Sequence, residues 1–176
     1  MRRWIALLTT SVIAASCGSA SFEVSFGGGT GSVEEAAAFL IEGELADQVG
    51  TTLVADCPPV DDPDVGTTFT CTATTETGEV IEFDGIVDRE DHIDLNSTNL
   101  VVADAVPDWE ALVEGSVEET VGFDVVIDCG DGFIVLDAND QMICEVSDPT
   151  GANADAPILI DVDDLDQGAF RWEIDG

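Results

Sequence analysis

Five cysteines, one histidine and 38 acidic side chains are the groups of this 176-residue chain that could do chemistry. Thiols pair as disulfides, hold metals or act as nucleophiles, and their spacing separates these uses. Zinc is the rival to disulfides here, but the chain has no Cys-x-x-Cys and only one histidine. Four of the five cysteines fall at matching places in a pattern that the sequence states twice. Glu42-Gly43, Val49-Gly50 and Asp56-Cys57 recur 72 residues later as Glu114-Gly115, Val121-Gly122 and Asp128-Cys129. Cys71 recurs 73 residues later as Cys144. Agreement to one residue across an apolar helical run, a glycine and two cysteines is expected of tandem duplication. Each copy then folds with its own bridge, which selects Cys57–Cys71 and Cys129–Cys144 among the three possible pairings.

The remaining candidates are weaker. His92 sits in Asp91-His92-Ile93-Asp94, and a histidine flanked by acids can ligate a metal or be oriented as a base. It has no counterpart in the second copy and no partner histidine, so it is expected to be a surface residue. Asp161-x-Asp163-Asp164-x-Asp166 and Asp137-x-Asn139-Asp140 are acid-spaced like calcium loops, yet neither has the glycine and the position-twelve glutamate of that motif. No nucleophile elbow, phosphate-cradling loop or zinc-protease helix motif occurs. The expectation is a protein without catalytic residues, resident metal or cofactor.

Charge limits the partners. Against 38 acids stand four arginines and no lysine, a net charge of -34. Such a surface repels phosphate backbones, so nucleic acid is not an expected partner. The acids are scattered along the chain, which fits a solubilising surface better than one dedicated site.

The elements that must position the cysteines are legible from periodicity. Ser32 and Glu35 have capping-box spacing, and Val33, Ala37, Leu40, Ile41, Leu45 and Val49 form one apolar stripe ending at Gly50. Short β-prone runs follow at 51–55, 67–75 and 80–87, with 92–95 or 99–103 as a fourth. In the second copy Trp109, Leu112, Val113, Val117 and Val121 repeat the stripe, with Asp108 the expected cap. Strands are expected around 123–127, 133–136, 158–160 and 170–172, with a hairpin turn over 151–156. The predicted fold is α+β: two tandem repeats, each an N-terminal helix packed on a three- to four-stranded antiparallel sheet with one disulfide. The expected division is a leader over 1–16, a flexible tether over 17–31, a first domain over 32–104 and a second over 105–176. Phe22, Val24 and Phe26 alternate with polar residues inside that tether, which leaves a short edge strand as the lesser possibility.

The start of the chain carries an address. Met1-Arg2-Arg3 precedes an apolar run from Trp4 to Ala15 that is too short to span a bilayer. Ala14-Ala15-Ser16-Cys17 resembles the lipobox of bacterial lipoproteins, with Ala14 where that motif more often has leucine. The resemblance implies cleavage before Cys17 and acylation of its thiol, which is the odd cysteine of the five. The body would then hang from the extracytoplasmic face of the cell membrane by its lipid, with Arg89 and Arg171 as its remaining arginines.

Several features together resemble the DUF4333 family of actinobacterial lipoproteins: the lipobox, a Ser/Phe/Gly stretch, a helix ending in glycine, Val54 to Pro58, Gly66 to Thr74 and the hairpin glycine Gly78. The second copy keeps the helix, both cysteines and the turn glycine but lacks the Cys-Pro and Gly-x-x-Phe elements. The family has no assigned activity, so the resemblance implies fold and location only. The expected function is a non-catalytic cell-envelope lipoprotein that binds an envelope protein or other envelope ligand. The alternatives are an inhibitor whose paired helix-on-sheet layout resembles that of β-lactamase inhibitory proteins and, last, an enzyme.

Overall fold

A computed structural model describes residues 20–25, 31–61, 63–90, 92–150, 156–164 and 169–174. Strand β1 (Ser21–Ser25) precedes helix α1 (Val33–Leu40), which runs through one π-helical turn (Ile41–Leu45) into α2 (Ala46–Val49). Strands β2 (Leu53–Asp56), β3 (Thr68–Thr75), β4 (Val80–Arg89), β5 (His92–Ser97) and β6 (Leu100–Val101) follow. A 3-10 turn (Ala103–Ala105) enters α3 (Val106–Val121), and β7 (Val126–Asp128), β8 (Ile134–Val135), β9 (Gln141–Ser147), β10 (Ala156–Asp164) and β11 (Ala169–Ile174) complete the chain. The fold is α+β with antiparallel pairing throughout the described sheets.

The larger sheet has the order β1-β5-β4-β3-β2 and the smaller β11-β10-β9-β7. Strict alternation builds the larger one. In β4, Ile81, Phe83 and Val87 point to the core while Glu82, Asp84 and Ile86 point away. The apolar stripe of the first helical segment covers that core face, with Val33, Ala36, Ala37, Leu40, Ile41 and Leu45 all buried. Ser32 caps it by accepting from the Glu35 amide at 3.5 Å, while the Glu35 carboxylate reaches back to the Gly31 amide at 2.9 Å. Gly50 closes the segment at φ 71°, a left-handed conformation that glycine adopts without steric cost.

Two hydrophobic clusters result. One joins the first helical segment to β1–β5; the other gathers Trp109, Val113 and Val117 of α3 onto Ile127, Met142, Cys144, Ile158 and Ile160. In each half a helix carboxylate also reaches the edge-strand segment. Glu42 accepts from the Ala55 amide at 3.1 Å, and Glu110 accepts from the Cys129 amide at 2.8 Å.

Three expectations need correction. The stretch assigned to a flexible tether contains β1, whose Glu23 and Val24 pair with Asp94 and Ile93 of β5. Ala20 and Phe22 are buried, and the Ala20 amide donates to Ser97 Oγ at 3.0 Å. The period-two alternation of that stretch outweighed its glycine-rich surroundings, and it makes the first sheet five-stranded. Asp108 is not the cap of α3: the N-cap is Ala105, without a side-chain bond, because Pro107 in the first turn moves the start upstream. Leu112 is 44% exposed, off the face that buries Trp109, Val113 and Val117.

Candidate functional site

Cys57–Cys71 and Cys129–Cys144 are both bonded, with Cα atoms 4.4 and 4.3 Å apart. Each bridge extends a ladder by one step. Asp56 pairs with Thr72 and Asp128 with Glu145, so the next pairs on the register, just past the ends of β2 and β7, are the cysteines themselves. Both bridges therefore tie a short edge strand to its longer neighbour, and Cys71 and Cys144 are buried in the two clusters. Cys17 and the glycines at 27–29 lie outside the described residues, as do the residues 151–155 of the expected turn.

His92 is not a surface residue. Its side chain is 15% exposed, because β1 makes β5 an inner strand. A register shift between Val87 and Arg89 makes Asp88 an extra residue in β4, and such bulges re-aim side chains. As a result one donor atom each from Asp88, His92 and Asp94 lies within 4.8 Å of the others. His92 Nδ1 is 3.8 Å from Asp88 Oδ1. Neither atom has solvent access or a hydrogen-bond partner among the described residues, and the same is true of Asp94 Oδ1.

The surroundings are crowded with negative charge. Glu23 stands directly across from Asp94, a like-charge pair on adjacent strands. Among the described residues, Arg89 is the one guanidinium at the cluster. Its Nε bonds the other Asp88 oxygen at 2.7 Å, and its Nη2 lies 3.7 Å from Glu23. Burial pushes the Asp94 carboxyl above the ordinary carboxylate range, and repulsion from Asp88 and Glu23 adds to it. Burial also pushes Asp88 upward, but the hydrogen bond and charge of Arg89, with His92, outweigh it and hold that carboxyl low. An imidazole nitrogen and two carboxylate oxygens converging in this way can share a proton or hold a cation.

The calcium-like spacings have other uses. Asp137 accepts from the Asn139 and Gln141 amides at 2.8 and 3.1 Å, the bonding of a tight turn, and Asp140 occupies φ 58° within it. Asp161 accepts from the Gln141 amide nitrogen Nε2, while the side chains of Asp163, Asp164 and Asp166 are outside the described residues. One polar residue, placed by its sequence only at the start of a candidate strand over 99–103, has a buried bonding role that its sequence does not show. Asn99 is buried, accepts from the Glu82 amide at 2.8 Å, donates to the Val80 carbonyl at 3.0 Å, and takes the Leu136 amide on its own carbonyl at 2.8 Å. It links β4 to the β8 region, and nothing local in Thr98-Asn99-Leu100 marks it.

Comparison of the chain with protein-family models, curated proteins and solved structures gives no match. Among the described residues, no helix is long and apolar enough to cross a membrane.

Proposed function

We propose that this is a lipid-anchored, extracytoplasmic binding protein of the DUF4333 type, with two small modules and no catalytic chemistry of its own. The observation that carries the reading is the cysteine pairing. Four thiols close two bridges in equivalent places, which suits a protein that matures in an oxidising compartment. Cys17 is left over, directly behind a basic start and a short apolar run, where a lipobox-type peptidase would cut. A thiol carrying a diacylglycerol has more than the single chain that gives only marginal membrane binding. The acidic body then stands away from anionic headgroups.

Binding rather than catalysis is supported by the outward faces of the sheets, which carry Val54, Ile86 and Ile143 at 64%, 37% and 69% exposure. The ligand is an envelope protein or another envelope component that meets these faces.

The test is Cys17→Ser expressed in a bacterium that makes lipoproteins. The protein leaves the membrane fraction and its acyl-dependent mass disappears, while both disulfides stay formed. A variant that remains membrane-bound at the wild-type level refutes the anchor.

A further inference from the structure

We propose that Asp88, His92 and Asp94 form a binding site for one divalent first-row transition cation, of which Zn²⁺ is the representative. The site goes beyond the anchored binding module and does not depend on it.

Three features of the structure converge. First, each of the three residues contributes a donor atom that is buried and without a hydrogen-bond partner among the described residues. An unsatisfied buried polar atom loses its hydration without compensation, and a fold seldom places three within reach of one another without a common occupant. Second, the spacing suits coordination. Zn–N and Zn–O bonds are about 2.0–2.2 Å, so a cation between Nδ1 and Oδ1, 3.8 Å apart, meets both without moving the backbone. Third, the charge of the described residues is uncompensated. Glu23, Asp88 and Asp94 outweigh the guanidinium of Arg89 by two negative charges when His92 is neutral, and a divalent cation supplies that difference.

The donor set decides the class of ion. Calcium and magnesium prefer all-oxygen shells, whereas an imidazole nitrogen suits zinc, copper, iron or nickel. Three protein donors leave positions for water or for a ligand's own donor. The bulge at Asp88 and the strand β1 over β5 are the structural devices that assemble the set.

A proton is the competing occupant, held between His92 and Asp88 as an ion pair, and the test separates the two. His92 is the chain's one histidine, so its ring resonances are unambiguous. Full-length protein stripped with a chelator is titrated with ZnCl₂, followed by heteronuclear NMR of the imidazole and by calorimetry. The expected result is one tight equivalent that shifts His92 Nδ1, with Ca²⁺ and Mg²⁺ unable to compete. His92→Ala and Asp94→Asn each weaken that equivalent by about tenfold or more, a scale reached even by groups that only support a ligand. Glu119→Gln, an exposed acid on α3, leaves it unchanged. The site is refuted if one equivalent of Zn²⁺ leaves the His92 ring unmoved, if His92→Ala binds like wild type, or if Ca²⁺ displaces Zn²⁺ as general screening of acids would require. The wild-type NMR titration stands even where a variant folds poorly.

Discussion

Leu100 and Val101 are consecutive, both 0% exposed, and belong to different hydrophobic cores. Side chains alternate along a strand, so the two-residue strand β6 faces one cluster with Leu100 and the other with Val101. Its partner repeats the arrangement: Val135 packs against the first cluster and Ile134 against the second. The β6–β8 ribbon is thus a wall common to both cores. The expected boundary after residue 104 assigns β6 to the first half alone, yet Val101 packs with the second.

This geometry predicts selective loosening. Leu100→Ala should cost about 2–5 kcal/mol, and hydrogen exchange should rise chiefly in β3–β5. Val101→Ala should cost about 2 kcal/mol and act chiefly on β9 and β10. Uniform loss of protection across both sheets in both variants would show that the two cores unfold as one unit.

Gly85 and Phe69 carry a second prediction. They are direct cross-strand partners in β4 and β3, and the phenyl ring lies where a Cβ on Gly85 would be. Gly85→Ala forces the ring aside in a packed core, at about 1–3 kcal/mol. Chemical denaturation of Gly85→Ala, Phe69→Leu and the double variant checks this. The glycine substitution should cost less in the Phe69→Leu background, and strict additivity would rule out the proposed ring contact.

How far these relationships were legible depends on their range. The apolar stripe beginning at Val33, the alternation of β3 and β4 and the glycine stop at Gly50 are local patterns that each segment states by itself. The cysteine pairing was legible because the two halves state it at matching positions. The environment of His92 was not. It depends on a strand between Ala20 and Ser25 that pairs more than 65 residues away in sequence and on a bulge at Asp88. Neither has a signal near His92, whose acidic neighbours resemble any solvated turn. The role of Asn99 escaped for the same reason, since its partners Val80 and Glu82 lie in β4 and Leu136 just after β8.

Asp137 gives a pH-dependent prediction. The Asn139 amide, then the Gln141 amide and the Asn139 side chain, stabilise its charged form and hold its carboxyl below the ordinary range, against a smaller effect of burial. A carboxyl lowered on folding stabilises the fold above its unfolded pKa, and this contribution is lost as pH falls through the lower folded value. Carboxyl ¹³C NMR should therefore give Asp137 a midpoint below that of an unfolded aspartate. Asp137→Asn should make the acid limb of the stability curve shallower. A midpoint at or above the unfolded value would disprove the turn's electrostatic role.

The disulfides supply the last prediction. Cys57–Cys71 and Cys129–Cys144 enclose sequence separations of 14 and 15 residues. For loops of this size the chain-entropy estimate is about 3 kcal/mol each. That is a large share of what a core built from one helical segment and one small sheet can hold. Each bridge also anchors an edge strand: among the described residues β2 pairs only with β3, and β7 only with β9. Removing one bridge as Cys57→Ala/Cys71→Ala should therefore release β2 and its helix first, leaving β7 and β9 protected. Cys129→Ala/Cys144→Ala should do the reverse. Hydrogen exchange with mass spectrometry reads both, and non-reducing peptide mapping verifies the surviving bond in each variant. A wild-type-like protection map after loss of a bridge would mean that the ladder alone holds the edge strand, and a cross-linked Cys57–Cys129 peptide would overturn the pairing itself.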